Sequence, residues 1–240
     1  MKTPLILAFE NTSETVIRHR TSQRREAGFT LIELLTVIAI IGILAALSFV
    51  GISRARQQAH SSRDIANLKT IGTANALHME ENRGAVAPGH FPPTNELWFF
   101  QLLRPYLNYP LNNDVEGPAF ISPLDPDKGG VNVAVFLPVH RRSYAINRKT
   151  LLGSAGDYRK ANISEITAPA RTLYAVNYQV SKKNTNWVDA SDSASLEAIP
   201  SEWRSGAKVG VLFMDGHVEV VQRADIMPGG VREDIFKLDQ

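Results

Sequence analysis

From Phe29 to Val50 the chain is apolar apart from a few small polar residues, and Glu33 is its one ionisable side chain. A run of some twenty such residues is long enough to cross a hydrocarbon core of ~30 Å as a helix. Its flanks are sharp: Arg24, Arg25 and Glu26 precede it, and Arg54 and Arg56 follow. So long an unbroken stretch exceeds what a buried soluble helix needs, so the pattern predicts a membrane-spanning helix.

Beyond Val50 the pattern changes from continuous to periodic. Ile52, Ala55, Ala59, Ile65, Ala66, Leu68, Ile71, Ala74 and Leu77 recur mostly at three- and four-residue spacing, with Arg, Gln and Lys between them. No proline occurs from Phe29 to Ala87. The helix is therefore expected to continue to about Asn82, ~80 Å in all at 1.5 Å per residue. Arg83-Gly84 and Pro88-Gly89 supply its stop. After a Gly/Pro-rich connector to Pro93, Thr94 or Asn95 can cap a short amphipathic helix. That helix carries Leu97, Trp98, Phe100, Leu102 and Leu103, an aromatic cluster expected in the core, and ends near Pro105.

Short β-branched or aromatic runs follow, each bounded by turn residues: Val131–Leu137, Ser143–Asn147, Thr172–Asn177, Val209–Met214 and His217–Gln222. The last two flank Asp215-Gly216, a two-residue hairpin signal of the type I′ kind. Such a turn would set Phe213 opposite Val218 and Val211 opposite Val220. The stretch holding Asp189, Asp192 and Ser195 reads as a flexible polar loop. The fold class expected is α+β: a long N-terminal helix whose second half is covered by an antiparallel sheet.

Charge changes the picture only at the N-terminus. Residues 1–28 hold Lys2, Arg18, Arg20, Arg24 and Arg25 against Glu10, Glu14 and Glu26, a balance of +2 that equals the net charge of the whole chain. The remainder is neutral, and nothing in it calls for nucleic acid. There is no cysteine, hence no disulfide framework and no thiolate metal site. Pro4–Phe9 is too short for an ordinary secretory signal, and the long apolar run lies beyond it. Basic residues stand on both sides of that run, so positive charge alone favours a cytoplasmic N-terminus only slightly.

A carboxylate in a membrane span costs ~2.5–3.5 kcal/mol near the centre and ordinarily has a partner. Glu33 is close enough to one end to snorkel to the headgroups. It could equally pair with an ammonium created by proteolysis at Gly28. The segment Arg24-Arg25-Glu26-Ala27-Gly28-Phe29-Thr30-Leu31-Ile32-Glu33-Leu34-Leu35 resembles the prepilin-type cleavage and methylation segment of type IV pilins and type II secretion pseudopilins. Ile38–Ala46 continues the likeness, which covers about a tenth of the chain. The resemblance implies cleavage after Gly28 by a prepilin peptidase, N-methylation of Phe29, and pairing of Glu33 with a neighbouring subunit's Phe29 ammonium. It also places the N-terminus in the cytoplasm and the C-terminal domain outside the inner membrane.

Ser53–Arg56, Asn67–Gly72 and Trp98–Tyr109 are similar to a pilin-like subfamily with a C-terminal motif of histidine, nine residues and Asp-Gly. Here Ser205 stands at the histidine position before Asp215-Gly216, and the subfamily's proline near Val50 and cysteine near Asp64 are both missing. His217 directly follows the turn and reads as a surface residue of the hairpin.

Asp125 and Asp127, in Asp125-Pro126-Asp127-Lys128-Gly129-Gly130, are weak calcium candidates. Lys128 and Gly129 replace the later acids of an EF-hand, so a plain turn is the better reading. No cofactor is expected. Nucleophile elbow, phosphate-binding glycine loop and His-Glu metalloprotease motif are all missing, so the chain is not read as an enzyme.

The organisation expected is a cleaved leader over 1–28, a transmembrane helix over 29–53, its amphipathic continuation over 54–83 and an exported α+β domain over 84–240. The resemblance implies a structural subunit of a pilus or pseudopilus, with prepilin peptidase, other pilin-like subunits and the membrane as partners. The alternative is a processed single-pass adaptor that remains in the inner membrane.

Overall fold

The computed structural model describes residues 29–89, 99–109, 117–128, 142–152, 159–182 and 187–237. The expected leader, the Val131–Leu137 strand and the start of the Thr94 or Asn95 helix lie outside them. Helix α1 spans Leu31–Glu81 and α2 spans Phe99–Leu103. Strands β1 (Tyr144–Asn147), β2 (Leu151–Leu152), β3 (Arg159–Lys160), β4 (Leu173–Asn177) and β5 (Trp187–Val188) follow. Then come α3 (Ser193–Glu197), β6 (Lys208–Phe213), β7 (Val218–Gln222) and α4 (Arg223–Ile226). The boundary between the chain's two compact units falls between Val50 and Gly51.

In the first unit, every described side chain of α1 from Leu31 to Phe49 is exposed. This part is long and apolar enough to cross a membrane. Its few polar groups are satisfied by their own helix: the Thr36 hydroxyl donates to the Glu33 carbonyl at 2.9 Å, and Ser48 to Leu44 at 2.7 Å. Lipid requires this of any helix it surrounds, because it offers no other partner.

In the second unit, α1 buries one face. Asp64, Leu68, Ile71, Ala74, Asn75 and His78 recur at helical spacing and are all buried. Leu68, Ile71 and Ala74 join a core with Phe99, Phe120, Tyr144, Tyr174 and Leu212. Close approach is secured from both sides. A Cβ on Gly72 would meet Leu212 Cδ1 at 2.8 Å, and one on Gly210 would meet Leu68 Cδ1 at 2.8 Å. Helix α1 ends where expected. Arg83 and Gly84 take φ of 56° and 85°, and the Gly84 amide donates to the Met79 carbonyl at 2.7 Å. That bond is the six-to-one closure of a Schellman end.

The sheet runs β5-β1-β4-β6-β7, antiparallel except at β5, which pairs with β1 in parallel. One face meets α1. The other carries Leu173, Val176, Val209, Val211 and Phe213 against Leu196, Ile199, Ile226, Ile235 and Phe236. Cover on both faces explains why β4 is buried throughout and reads as a continuous apolar run rather than an alternation.

Three expectations need correction. The β6–β7 turn is not a two-residue type I′ turn: Leu212 pairs with Val218, Val211 with Glu219 and Gly210 with Val220. The loop has three residues, Met214 to Gly216, closed by the Gly216 amide on the Phe213 carbonyl at 3.0 Å. Only Gly216 there takes positive φ, 89°. A type I turn ending in a left-handed glycine does the same work with one more residue, and the extra residue shifts every pair by one. The stretch around Asp192 is not a flexible loop, because the Asp192 carboxylate caps α3 through the Ser195 amide at 3.4 Å. The sheet also gains a parallel edge, since the two-residue β5 was too short to register as a strand signal.

Candidate functional site

The first candidate is the N-terminal turn of α1. Gly28 lies outside the described residues, and Phe29 is exposed. The Thr30 amide and hydroxyl both donate to Glu33 Oε2 at 2.8 Å, and the Glu33 amide donates back to Thr30 Oγ1 at 3.3 Å. This reciprocal pair is a capping box, in which residues three apart satisfy each other's free donors at a helix start. The carboxylate is thus held over its own helix N-terminus, where the dipole favours negative charge. The Thr-x-x-Glu spacing was present in the sequence and could have revealed the cap.

The other candidates lie in the second unit. Asp125 Oδ1 accepts the Asp127 amide at 2.9 Å, and Oδ2 accepts the Ser143 hydroxyl at 2.7 Å. Asp127 accepts from Gln179 Nε2 at 2.9 Å and from the Ser181 hydroxyl, contacts that hold its carboxyl below the usual range. Both acids serve as turn and tether acceptors. Among the described residues no group of three or more His, Cys, Asp and Glu is placed to hold a metal ion. At the hairpin, His217 Nδ1 lies 2.6 Å from Asp215 Oδ1, and the imidazole stacks on Phe213 with centroids 4.3 Å apart. That trio braces the turn.

A further cluster was not foreseen. Asp64 is fully buried, and its carboxylate gathers donors from four distant segments. Oδ1 accepts from Ser122 Oγ at 2.5 Å, Tyr144 Oη at 2.7 Å and Asn177 Nδ2 at 3.0 Å. Oδ2 is paired with Arg204 at 2.5 Å. Arg204 also donates to the Ser61 hydroxyl, and Asn177 Oδ1 receives the Gly210 amide at 2.6 Å. Burial, then the Asp64 charge and the bond to it, push the Tyr144 phenol well above its ordinary range and keep it a donor. The signal available was an acid four residues before Leu68, on the apolar face of a periodic helix. Ser205, beside Arg204, lines a cleft with Arg54 and Lys208.

Residues 23–49 match the family model described as the prokaryotic N-terminal methylation motif. The chain therefore carries a prepilin-type N-terminus, leading into one long apolar helix. Neither the curated proteins nor the solved structures contain a match to the chain.

Proposed function

We propose that the chain is a pilin-like or pseudopilin-like structural subunit, cleaved between Gly28 and Phe29, N-methylated on Phe29 and assembled into a filament from the inner membrane. In this reading 1–28 is the leader, 29–53 the membrane helix and 54–83 its amphipathic continuation, with 84–240 exported on the far side. The observation that carries the proposal is the methylation motif over residues 23–49, joined to a helix whose apolar side chains from Leu31 to Phe49 are covered by none of the described residues. Such a helix needs lipid or other helices around it. A filament core supplies the second, and exchange of one for the other needs little driving force because lipid is as apolar as leucine. Glu33 would guide that exchange by moving from its Thr30 cap to a neighbouring Phe29 ammonium, a contact in which both partners carry charge.

The Thr30 cap also favours the second reading, an adaptor that stays in the membrane, because it satisfies Glu33 without any neighbour. Glu33→Leu separates the two. A subunit bearing it should be inserted and cleaved normally yet fall sharply in sheared fibres, while co-expressed wild type rescues it in part. Fibre incorporation equal to wild type would move the adaptor reading ahead. Intact mass of the wild-type chain tests the shared step, since retention of residues 1–28 would remove the basis of both.

A further inference from the structure

A cleft of about 330 Å³ opens in the second unit between the start of its helical segment and the β6 side of the sheet. Its polar wall includes Arg54, Ser61, Arg204, Ser205 and Lys208, with the amides of Gln57 and Gln58 beside them. The chain turns sharply there, with Gly206 and Ala207 at φ of 75° and 52°, which brings Trp203 to Ser205 and Lys208 onto one wall. No acid is among its lining residues. Asp64, the nearest carboxylate to Arg204, is buried and already committed to Ser122, Tyr144, Asn177 and Arg204. Arg54 and Lys208 are exposed and have no ion-pair partner among the described residues.

Two donors on its lining residues are also left without an acceptor. Trp203 and Arg204 are 5% and 8% exposed, and neither Trp203 Nε1 nor Arg204 Nε has an acceptor among the described residues. A buried N–H left without an acceptor is costly, so native structures ordinarily place one there. Hydroxyls of Ser61 and Ser205 add to the donor side. The complement of such a wall is an anion with several oxygens and no hydrogen to give.

We infer that this cleft binds a phosphate oxyanion. The inference rests on the membrane-anchored reading for its natural source. Arg54 lies four residues after Val50, so connectivity alone keeps it within about 14 Å of the end of the apolar run. Headgroup phosphates of an anionic lipid are therefore within the chain's reach. Free phosphate presents the same oxygens.

The test uses the full chain in a neutral detergent, titrated calorimetrically with inorganic phosphate and with short-chain phosphatidylglycerol. Saturable binding is expected, weakened at least about tenfold by Arg54→Gln with Lys208→Gln, and weakened by added salt. Trp203→Phe, which removes one N–H and no charge, should weaken binding several-fold in samples that retain a cooperative thermal transition. Tighter binding of the lipid assigns the headgroup as the source, whereas equal or tighter binding of inorganic phosphate assigns the free ion. Binding of neither probe, binding unchanged in the double variant, or binding indifferent to Trp203→Phe overturns the inference. Processing and fibre incorporation are measured on the same variants. The inorganic phosphate titration depends on neither, so the two readings fail separately.

Discussion

Glu33 and Asp64 lie on one helix and are satisfied in opposite ways. Glu33 is exposed and bonds only within its own first turn, to Thr30. Asp64 has no exposure and accepts from Ser122, Tyr144, Asn177 and Arg204, none of them on its helix. The same contrast runs through the two parts of α1. From Leu31 to Phe49 every side chain faces outward, and from Asp64 to His78 one face is sealed under a sheet. An acid held locally can be released to a new partner at little cost. One held by four remote donors cannot move without opening the domain.

The largest effect should come from breaking the remote set. Asp64→Ala leaves Arg204 charged and buried without its partner, which should cost about 3–5 kcal/mol in denaturant unfolding of the detergent-solubilised chain. Membrane insertion should be unchanged. A loss under about 1 kcal/mol would mean that water reaches Arg204 and that the pair behaves as an exposed one.

Glycines give the next comparison. Gly210→Ala forces a methyl against Leu68 Cδ1 and within 3.0 Å of Asn177 Oδ1, so a loss of about 1–3 kcal/mol is expected. Gly51→Ala meets nothing within 4 Å. It should be neutral or should stabilise the helix by up to about 1 kcal/mol. Equal effects at both positions would erase the distinction between a packed and an unpacked glycine.

His78 sharpens it through pH. Burial first, then the Lys160 charge, lower its pKa to about 4, against the opposing pull of Glu81. Between pH 6.5 and about 4 the unfolded chain takes up a proton that the folded chain refuses. Stability should therefore fall as pH drops through that window and level off below it. His78→Gln should flatten this part of the thermal midpoint profile, and an unchanged slope would assign the pH dependence to other groups.

The smallest effect belongs to the local cap. Thr30→Ala removes one side of the capping box, which should fray the first turn of α1 for about 1 kcal/mol. Amide exchange at Leu31 to Glu33 should accelerate while exchange in β4 and β6 stays the same. Equal acceleration in the sheet would contradict the separation of the two compact units.

Those contrasts also mark what could be read from sequence. The apolar run and the three-four periodicity each depend on side chains meeting one solvent boundary, so α1 and its Arg83-Gly84 end were legible. Strands β1, β4, β6 and β7 were legible for the same reason, being β-branched and punctuated by turns. The hairpin register was not. Asp215-Gly216 fits either a two-residue loop or a three-residue one, and the choice is made by pairing across the sheet. Neither was the Asp64 set legible, because its donors are brought together only by the sheet order, and no local spacing announces them. Glu33 stood out as an anomaly in an apolar run, yet its Thr30 partner three residues away went unread behind the longer-range pairing.

The Asp64 set also has a temporal side. Its four donors enter the chain 58, 80, 113 and 140 residues after the carboxylate they serve. Contacts of such separation form late, because the closure entropy must be met before they contribute. As the chain emerges from the ribosome, Asp64 has no complete set of partners until Arg204 has been made. Locking of the helix onto the sheet is therefore coupled to completion of the chain through Arg204. A chain stopped short of Arg204 would lack β6 and leave part of the apolar face of α1 uncovered, a surface prone to aggregation.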